Sequence, residues 1–167
     1  MKDFRFLFLF SLTFWLHSFH VSAITYEWED STRVSDLLLQ ARQHLKNQNT
    51  VLYFAHQFLG IPYVGHTLEV NKEEELVVNL RQLDCTTFVE TVTALTLAFK
   101  HDGLGWDDYL EWLLTIRYNN GKLDGYCSRN HYFSQWIDSN SISIYCHPVV
   151  TTQLYEYKSR SVRYAEG

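Results

Sequence analysis

The sequence predicts an α+β protein in which helices predominate. Four segments carry apolar residues at helical spacing, whereas one internal segment, 75–80, has the composition of a strand. The chain has 167 residues, of which 46% are hydrophobic, and it contains eleven Tyr and eleven Phe. This length and composition suit one domain of ordinary size with a packed core.

The start of the chain has the pattern of a secretory signal. Lys2 and Arg5 precede an apolar run at 6–16, and small residues lead up to Ala23. A membrane anchor is the alternative, but a bilayer span needs about 20 uninterrupted apolar residues, and polar side chains within 17–20 interrupt this run. We expect cleavage after Ala23 and export to the periplasm or out of the cell.

The charge of the chain disfavours two classes of partner. The full sequence has 14 basic and 19 acidic residues, and removal of residues 1–23 takes away Lys2, Arg5 and Asp3, which leaves 12 against 18 and a net charge of −6. Nucleic acid or an anionic membrane surface would call for a basic face. We therefore expect no nucleic-acid partner. Because no later segment is apolar enough to span a bilayer, we also expect no stable membrane insertion after signal cleavage.

Two helices are predicted soon after the signal. Ser31 or Thr32 is suited to cap a helix that runs to about Asn47. Its apolar stripe consists of Val34, Leu37, Leu38, Ala41 and Leu45. A second helix is predicted over 50–59, and Gly60 is suited to end it. The residues expected to face inward there are Val51, Phe54, Ala55 and Phe58.

Two further helices follow the strand-like segment. One begins near Asp84 and runs to about Lys100, with an inward face of Phe88, Val89, Val92, Leu95 and Phe99. The other covers 107–117, with Tyr109, Leu110, Leu113 and Leu114 inward. The remaining features are a turn at 119–121, a short helix or irregular segment at 128–136, and strand-like composition at 142–157.

Cys85 stands at the predicted start of a helix, directly after Asp84. Backbone N–H groups and the helix dipole stabilise negative charge at this position, and the thiolate is the reactive form of cysteine. Asp84 is suited to cap the helix, and the N–H of Cys85 is suited to contribute to an oxyanion hole. A small buried cysteine is the alternative interpretation.

The other two cysteines, Cys127 and Cys146, leave the thiol count odd. In an oxidising compartment an odd count leaves at least one thiol unpaired or paired between chains. A bridge between Cys127 and Cys146 is one possibility. Their spacing matches no zinc signature, and the histidines show no metal-ligand spacing.

Three segments of the sequence resemble a known family. They are 58–64 (Phe-Leu-Gly-Ile-Pro-Tyr-Val), 79–90, which includes Asp-Cys-Thr-Thr-Phe-Val-Glu, and 128–137 (Ser-Arg-Asn-His-Tyr-Phe-Ser-Gln-Trp-Ile). Together they are similar to the N-acetylmuramoyl-L-alanine amidase-like family of exported bacterial proteins (domain of unknown function 1460). That family is related to the NlpC-type cysteine peptidases of the cell wall. The resemblance implies a papain-like α+β fold, in which a helix-borne cysteine pairs with a histidine on an antiparallel sheet.

The resemblance also implies roles for individual residues. Cys85 corresponds to the nucleophile, and Tyr63 to a tyrosine that lines the cysteine pocket, packing beside Pro62 being the alternative. Asp84 is either a helix cap or an acid at the substrate site. Arg129 has a guanidinium suited to a substrate carboxylate, or it is a solvated arginine. Glu90 is expected to be structural. The resemblance implies no metal and no cofactor.

The sequence departs from the family after Ile137. The family histidine lies in an Asp-x-x-His-x-Gly segment at the start of a sheet strand, and the chain has no such segment. His131 is the better substitute as a base, although a hydrogen-bonded structural histidine is the alternative. His147 lies in a divergent tail.

We therefore expect a signal peptide at 1–23, the N-terminal part of an amidase-like domain at 24–138, and a divergent tail at 139–167. On this interpretation the chain is truncated, and it is helix-rich because the sheet half of the papain-like fold is mostly missing. The implied function is thiol-dependent hydrolysis of an amide bond in peptidoglycan or its fragments. The alternative is an inactive remnant or a protein that only binds wall fragments.

Overall fold

The computed structural model describes residues 23–45 and 48–141. The predicted signal peptide before Ala23 and the strand-like tail at 142–157 lie outside the described residues, as does Cys146. The elements in chain order are β1 (Ile24–Thr25), α1 (Trp28–His44), α2 (Thr50–His56), β2 (Leu76–Val77), α3 (Cys85–Lys100), α4 (Trp106–Arg117), 3₁₀ turns at Asn119–Gly121 and Tyr126–Ser128, and α5 (Phe133–Asn140).

The sheet is a single parallel pair, in which Ile24 lies opposite Leu76 and Thr25 opposite Val77. The strand predicted at 75–80 is therefore confirmed only at its centre. Its last backbone N–H, that of Leu80, donates to Asp30 Oδ1 at 2.9 Å instead of continuing the ladder. A buried carboxylate on α1 thus ends the strand, because it takes the donor that a further strand pairing would use.

Helix α1 begins at Trp28, which is earlier than the Ser31 or Thr32 cap predicted from the sequence. The reason is that Asp30 accepts a hydrogen bond from the backbone N–H of Glu27 at 3.1 Å, closing the first turn. The Ser31 and Thr32 hydroxyls instead donate to the carbonyl of Trp28. The predicted stripe is otherwise confirmed, with Leu45 half-buried and the rest buried, namely Val34, Leu37, Leu38 and Ala41.

Helix α2 is capped by Asn49, whose side chain accepts from the backbone N–H of Leu52 at 3.2 Å. It ends at His56, short of the predicted Leu59, and a turn leads to Gly60 at φ +82°. Phe54 is fully buried as predicted, whereas Val51 is exposed.

The core lies mainly between α3 and α4. Val92 and Leu95 on α3 and Tyr109 and Leu113 on α4 are buried, while three predicted core residues of α3 are only half-buried, namely Phe88, Val89 and Phe99. The connection between the two helices passes through Gly103. A Cβ there would lie 2.7 Å from Asp108 Cβ and 2.8 Å from Ala98 O, so only glycine fits without a shift.

The segment predicted at 128–136 as a short helix or irregular structure forms a 3₁₀ turn followed by α5. Two asparagine side chains fasten it to α4. Asn140 Nδ2 donates to the carbonyl of Ile116 at 2.9 Å, and Asn130 Nδ2 donates to the same carbonyl at 3.3 Å. Trp136 completes the contact by burying its ring in the core.

The described part of the chain is therefore a helix-rich mixed structure with a small two-stranded sheet. None of its helices is both long enough and apolar enough to cross a membrane.

Candidate functional site

The first turn of α3 carries the predicted nucleophile. Asp84 is the N-cap, and its Oδ1 accepts from the backbone N–H of Thr87 at 2.8 Å while Thr87 Oγ1 accepts from the backbone N–H of Asp84 at 2.9 Å. This reciprocal pair confirms the predicted cap. Cys85, the first residue of the helix, is exposed rather than buried and makes no disulfide with a described residue.

A short extended segment places Tyr63 beside this helix start. The backbone N–H of Leu83 donates to the carbonyl of Pro62, and that of Val64 donates to the carbonyl of Leu83, each at 3.2 Å. Tyr63 and Leu83 thus pair in parallel immediately before the α3 cap. The charge of the neighbouring Cys85 raises the pKa of the Tyr63 phenol, with smaller contributions from desolvation and from Asp84. Tyr63 is mostly exposed, as a residue at a pocket rim would be.

Two cavities meet at Tyr63 and Asp84. The smaller, of about 250 Å³, is apolar and contains Cys85 together with Phe58, Ile61, Leu83 and Phe88. The larger, of about 300 Å³, is polar and is lined by residues 65–69 and 129–131, by the first turn of α3 and by Glu90. Cys85 therefore lines the apolar cavity, while its sequence neighbours Asp84 and Thr86 line the polar one.

Arg129 lies in the wall of the larger cavity, and it is buried rather than solvated, with 5% of its surface exposed. Its Nη2 donates to Glu69 Oε1 at 2.7 Å, and its Nε lies 3.5 Å from Glu74 Oε1. Glu74 also accepts from the Tyr118 hydroxyl at 2.9 Å. The guanidinium that the sequence offered for a substrate carboxylate is thus already held by two carboxylates of the chain.

His131 also lines the larger cavity, and it is exposed. Its Nε2 lies 2.7 Å from the carbonyl oxygen of Tyr126, and its ring lies over the Tyr126 ring with centroids 4.0 Å apart. A carbonyl can only accept, so Nε2 donates and Nδ1 of the neutral ring remains an acceptor. Within residues 23–45 and 48–141 no histidine hydrogen-bonds the Cys85 thiol, and His147 lies outside the described residues.

Three cavity residues were missed by the sequence analysis, namely His66, Thr67 and Glu69. His66 adopts the left-handed conformation at φ 62°, and its Nδ1 lies 3.6 Å from Glu69 Oε2. A local sequence signal for this pair exists, because His66 and Glu69 are three residues apart shortly after Tyr63. The partnership of Glu69 with Arg129 spans 60 positions and leaves no local pattern.

A buried ion pair joins α3 to α4 beside the larger cavity. Glu90, 2% exposed, accepts from Arg117 Nε at 2.7 Å, and Arg117 also donates to the carbonyl of Val77. Burial alone would lower the pKa of the Arg117 guanidinium, but Glu90 and the neighbouring Tyr109 and Tyr118 together raise it. Glu90 has the structural role expected for it.

No group of three or more His, Cys, Asp or Glu side chains in the described ranges has the arrangement of a metal site.

Comparison with known proteins identifies the family. The model of the AmiA-like family, described as N-acetylmuramoyl-L-alanine amidase-like, matches residues 53–164. The chain belongs to this amidase-like family. The match begins ten residues before Tyr63 and continues past Ile137, which is the last residue of the three segments that carry the resemblance.

Solved structures agree with the family. The chain is 43% identical to an N-acetylmuramoyl-L-alanine amidase from Bacteroides uniformis, with a TM-score of 0.52 over 56% of this chain and 39% of that one. It is 41% identical to a Bacteroides fragilis protein provisionally named a xylanase, with a TM-score of 0.52 over 55% of this chain and 39% of that one. Among curated proteins none matches the chain.

A more distant structure shares the fold. A Legionella pneumophila protein assigned to the domain of unknown function 1460 is 22% identical, with a TM-score of 0.57 over 68% of this chain and 38% of that one. The chain thus spans about two fifths of the length of the amidase-like structures it matches.

Proposed function

We propose that this chain carries the nucleophile region of a thiol-dependent amidase that acts on peptidoglycan or its fragments. The observation that carries the proposal is the exposed Cys85 thiol at the capped start of α3, in the wall of the apolar cavity and next in the chain to Asp84 and Thr86, which line the polar cavity. The family match and the likeness to an N-acetylmuramoyl-L-alanine amidase support the substrate class. Action on peptidoglycan fits export of the protein, and a papain-like architecture fits a nucleophile at a helix start.

In the proposed reaction the Cys85 thiolate sulfur bonds to the amide carbonyl carbon. The carbonyl oxygen takes up negative charge, and the backbone N–H groups of Cys85 and Thr86 are the donors proposed to stabilise it, since that of Thr87 is held by Asp84. The C–N bond then breaks, the amine leaves with a proton, and water hydrolyses the thioester to release the acid and restore the thiol. Of the described histidines, His131 has a free Nδ1 acceptor in the cavity wall, and we propose it as the proton carrier.

Substrate contacts follow from the two cavities. Tyr63 and Asp84 line both of them, so they face a substrate bound on either side of the thiol. Arg129 lines only the polar cavity, where it fixes the position of Glu69, and the Glu69 carboxylate is the group that would contact a ligand.

The test is incubation of the chain with muropeptides and detection of released peptide and sugar by mass spectrometry. Cys85→Ala is expected to abolish turnover. Cys127→Ala is the matched control, since it also removes an exposed thiol but leaves α3 intact. His131→Ala is expected to reduce turnover by the roughly 10²–10⁴ that general-base assistance supplies. Turnover that survives in Cys85→Ala would exclude the thiol mechanism.

A second candidate function, binding of wall fragments without hydrolysis, is favoured by one observation. No described histidine reaches the Cys85 thiol, and a nucleophile without a base keeps only what binding and the oxyanion hole contribute. This candidate predicts that muropeptides bind the chain and its Cys85→Ala variant with equal affinity, with no product from either. Turnover by the unaltered chain would remove it.

A further inference from the structure

The wall of the polar cavity holds more negative than positive charge. Arg129 contributes one positive charge and is shared between Glu69, which lines the cavity, and Glu74, which does not. Asp84 adds a second lining carboxylate, engaged by uncharged donors of Thr87. Glu90 adds no excess, because Arg117 pairs with it. In the wall, one guanidinium therefore stands against the carboxylates of Glu69 and Asp84, and nearly half of the Glu69 side chain, 46%, is exposed.

A second observation at the same place points to a missing ligand. Thr67 lines the cavity and is only 8% exposed, yet its Oγ1 has no hydrogen-bond partner among the described residues. A buried hydroxyl without a partner is destabilising, and it accepts readily from a bound donor. Arg129 Nε also lacks a hydrogen bond, but it faces Glu74 Oε1 at 3.5 Å, so an anion entering there would meet a carboxylate.

We propose that this cavity is a subsite for a protonated primary amine, carried on a side chain of the peptide part of the substrate. The ammonium would donate to Glu69 Oε2, the oxygen that lies 3.6 Å from His66 Nδ1 and is not bonded to Arg129, and to Thr67 Oγ1, with Asp84 adding attraction from the α3 side. The proposal deepens the proposed function and rests on it for the identity of the peptide. It reverses the expectation that Arg129 binds a carboxylate, because the guanidinium would first have to leave Glu69 and Glu74.

The test uses a small probe, so that it does not depend on turnover. Nα-acetyl-lysine methylamide is titrated into the Cys85→Ala chain at pH 8, where an ordinary imidazole is neutral and an ordinary lysine is charged. The ring resonances of His66 and His131, which line the cavity, report binding by NMR. Nα-acetyl-norleucine methylamide, which has no amine, is the matched ligand.

The lysine probe is expected to shift these resonances with at least tenfold higher affinity than the norleucine probe. Glu69→Gln and, independently, Thr67→Val are each expected to weaken the lysine probe without changing the norleucine probe. Glu73→Gln, an exposed carboxylate outside the cavity, is expected to leave both unchanged. Equal affinity for the two probes, or stronger lysine binding in Glu69→Gln, would overturn the subsite.

A final comparison separates this proposal from the proposed function. Muropeptides with a free side-chain amine are compared with the same material after N-acetylation, by affinity for the Cys85→Ala chain and by turnover with the unaltered chain. Histidine resonance shifts that depend on lysine, without any turnover, would support the amine subsite and contradict the proposed amidase activity. Equal turnover of free and acetylated muropeptides, with no lysine-dependent resonance shift, would support the amidase activity and contradict the amine subsite.

Discussion

The first turn of helix α3 and Glu90, five residues after Cys85, differ in exposure. At the first turn the polar groups of Asp84 and Thr87 bond to one another, and Cys85 is left exposed. Glu90 borders the polar cavity but is only 2% exposed, and it pairs with Arg117 of α4. A charge buried in this way fixes the helix, whereas a charge at the first turn stays accessible to a ligand. The fixed position and the proposed nucleophile thus lie close together on one helix.

The largest expected effect is at the buried pair of Glu90 and Arg117. Arg117→Met leaves the Glu90 carboxylate buried without its partner, and removal of one member of such a pair costs about 3–5 kcal/mol of unfolding free energy. Urea denaturation followed by circular dichroism of the helices measures it. The double variant with Glu90→Met is the control, and it should recover most of the loss. A loss below about 1 kcal/mol in the single variant would mean that this ion pair does not fix the helix.

Alkaline pH tests the packing around this ion pair without a charge deletion, through Tyr109 of α4. Burial raises the pKa of Tyr109 from 10.0 to about 12, and the neighbouring Thr91 and Arg117 only partly offset this. The unfolded chain then loses this proton first, so the contribution of Tyr109 to stability is complete below pH 10, falls as pH rises from 10 to 12, and amounts to about 2–3 kcal/mol. Burial also raises the pKa of Tyr118, which adds to the alkaline loss. Urea midpoints across this range measure it.

Tyr109→Phe is the matched variant for this pH dependence, since its hydroxyl is buried without a hydrogen-bond partner in the described structure. It should reduce the alkaline slope, leaving the part due to Tyr118, and leave stability at pH 7 nearly unchanged. An identical slope in Tyr109→Phe would assign the alkaline loss to other groups.

The cap is expected to have an intermediate effect. Asp84→Ala removes the acceptor of the Thr87 N–H and should cost about 0.5–2 kcal/mol. Asp84→Asn keeps an acceptor and should lie close to the unaltered chain. Thermal or urea unfolding of the three chains side by side gives the comparison, and equal losses for Ala and Asn would show that charge, not capping, is what Asp84 contributes.

The smallest stability effect is expected at Cys85. Cys85→Ala should change the unfolding free energy by less than about 0.5 kcal/mol, because the side chain is exposed and alanine suits a helix. In the unaltered folded chain, iodoacetamide should modify Cys85 faster than Cys127, which is also exposed but lies in a 3₁₀ turn. Mass spectrometry of tryptic peptides gives both rates, and equal rates would contradict a thiolate-stabilising first turn.

Much of this helix was predictable because its signals are local. Asp84 followed three residues later by Thr87 is a capping pattern within one turn, and α3 and α4 begin within one residue of their predicted starts. The start of α1 was missed because Ser31 and Thr32 are equally good caps by composition, and the choice depends on the bond between Asp30 and Glu27.

The polar cavity could not be predicted for a different reason. Arg129 is a surface residue by type, and it is buried only because Glu69 and Glu74 come to it from far along the chain. The predicted strand at 75–80 is longer than the observed one because of another long-range contact, in which Asp30, 50 positions away, accepts the N–H of Leu80. Local pattern predicts the candidate nucleophile, whereas long-range ion pairs build the polar cavity near it.

The short connection through Gly103 bears on the order of folding. It lets α3 and α4 meet as neighbours along the chain, and such local contacts form early because little loop entropy is lost. The β1–β2 pair joins Ile24 to Leu76 and must wait for a much longer loop to close. Pulse-labelled hydrogen exchange should therefore protect the amides of α3 and α4 before those of Leu76 and Val78. The Cys85 thiol would then lie on a formed helix before the N-terminal strand has paired.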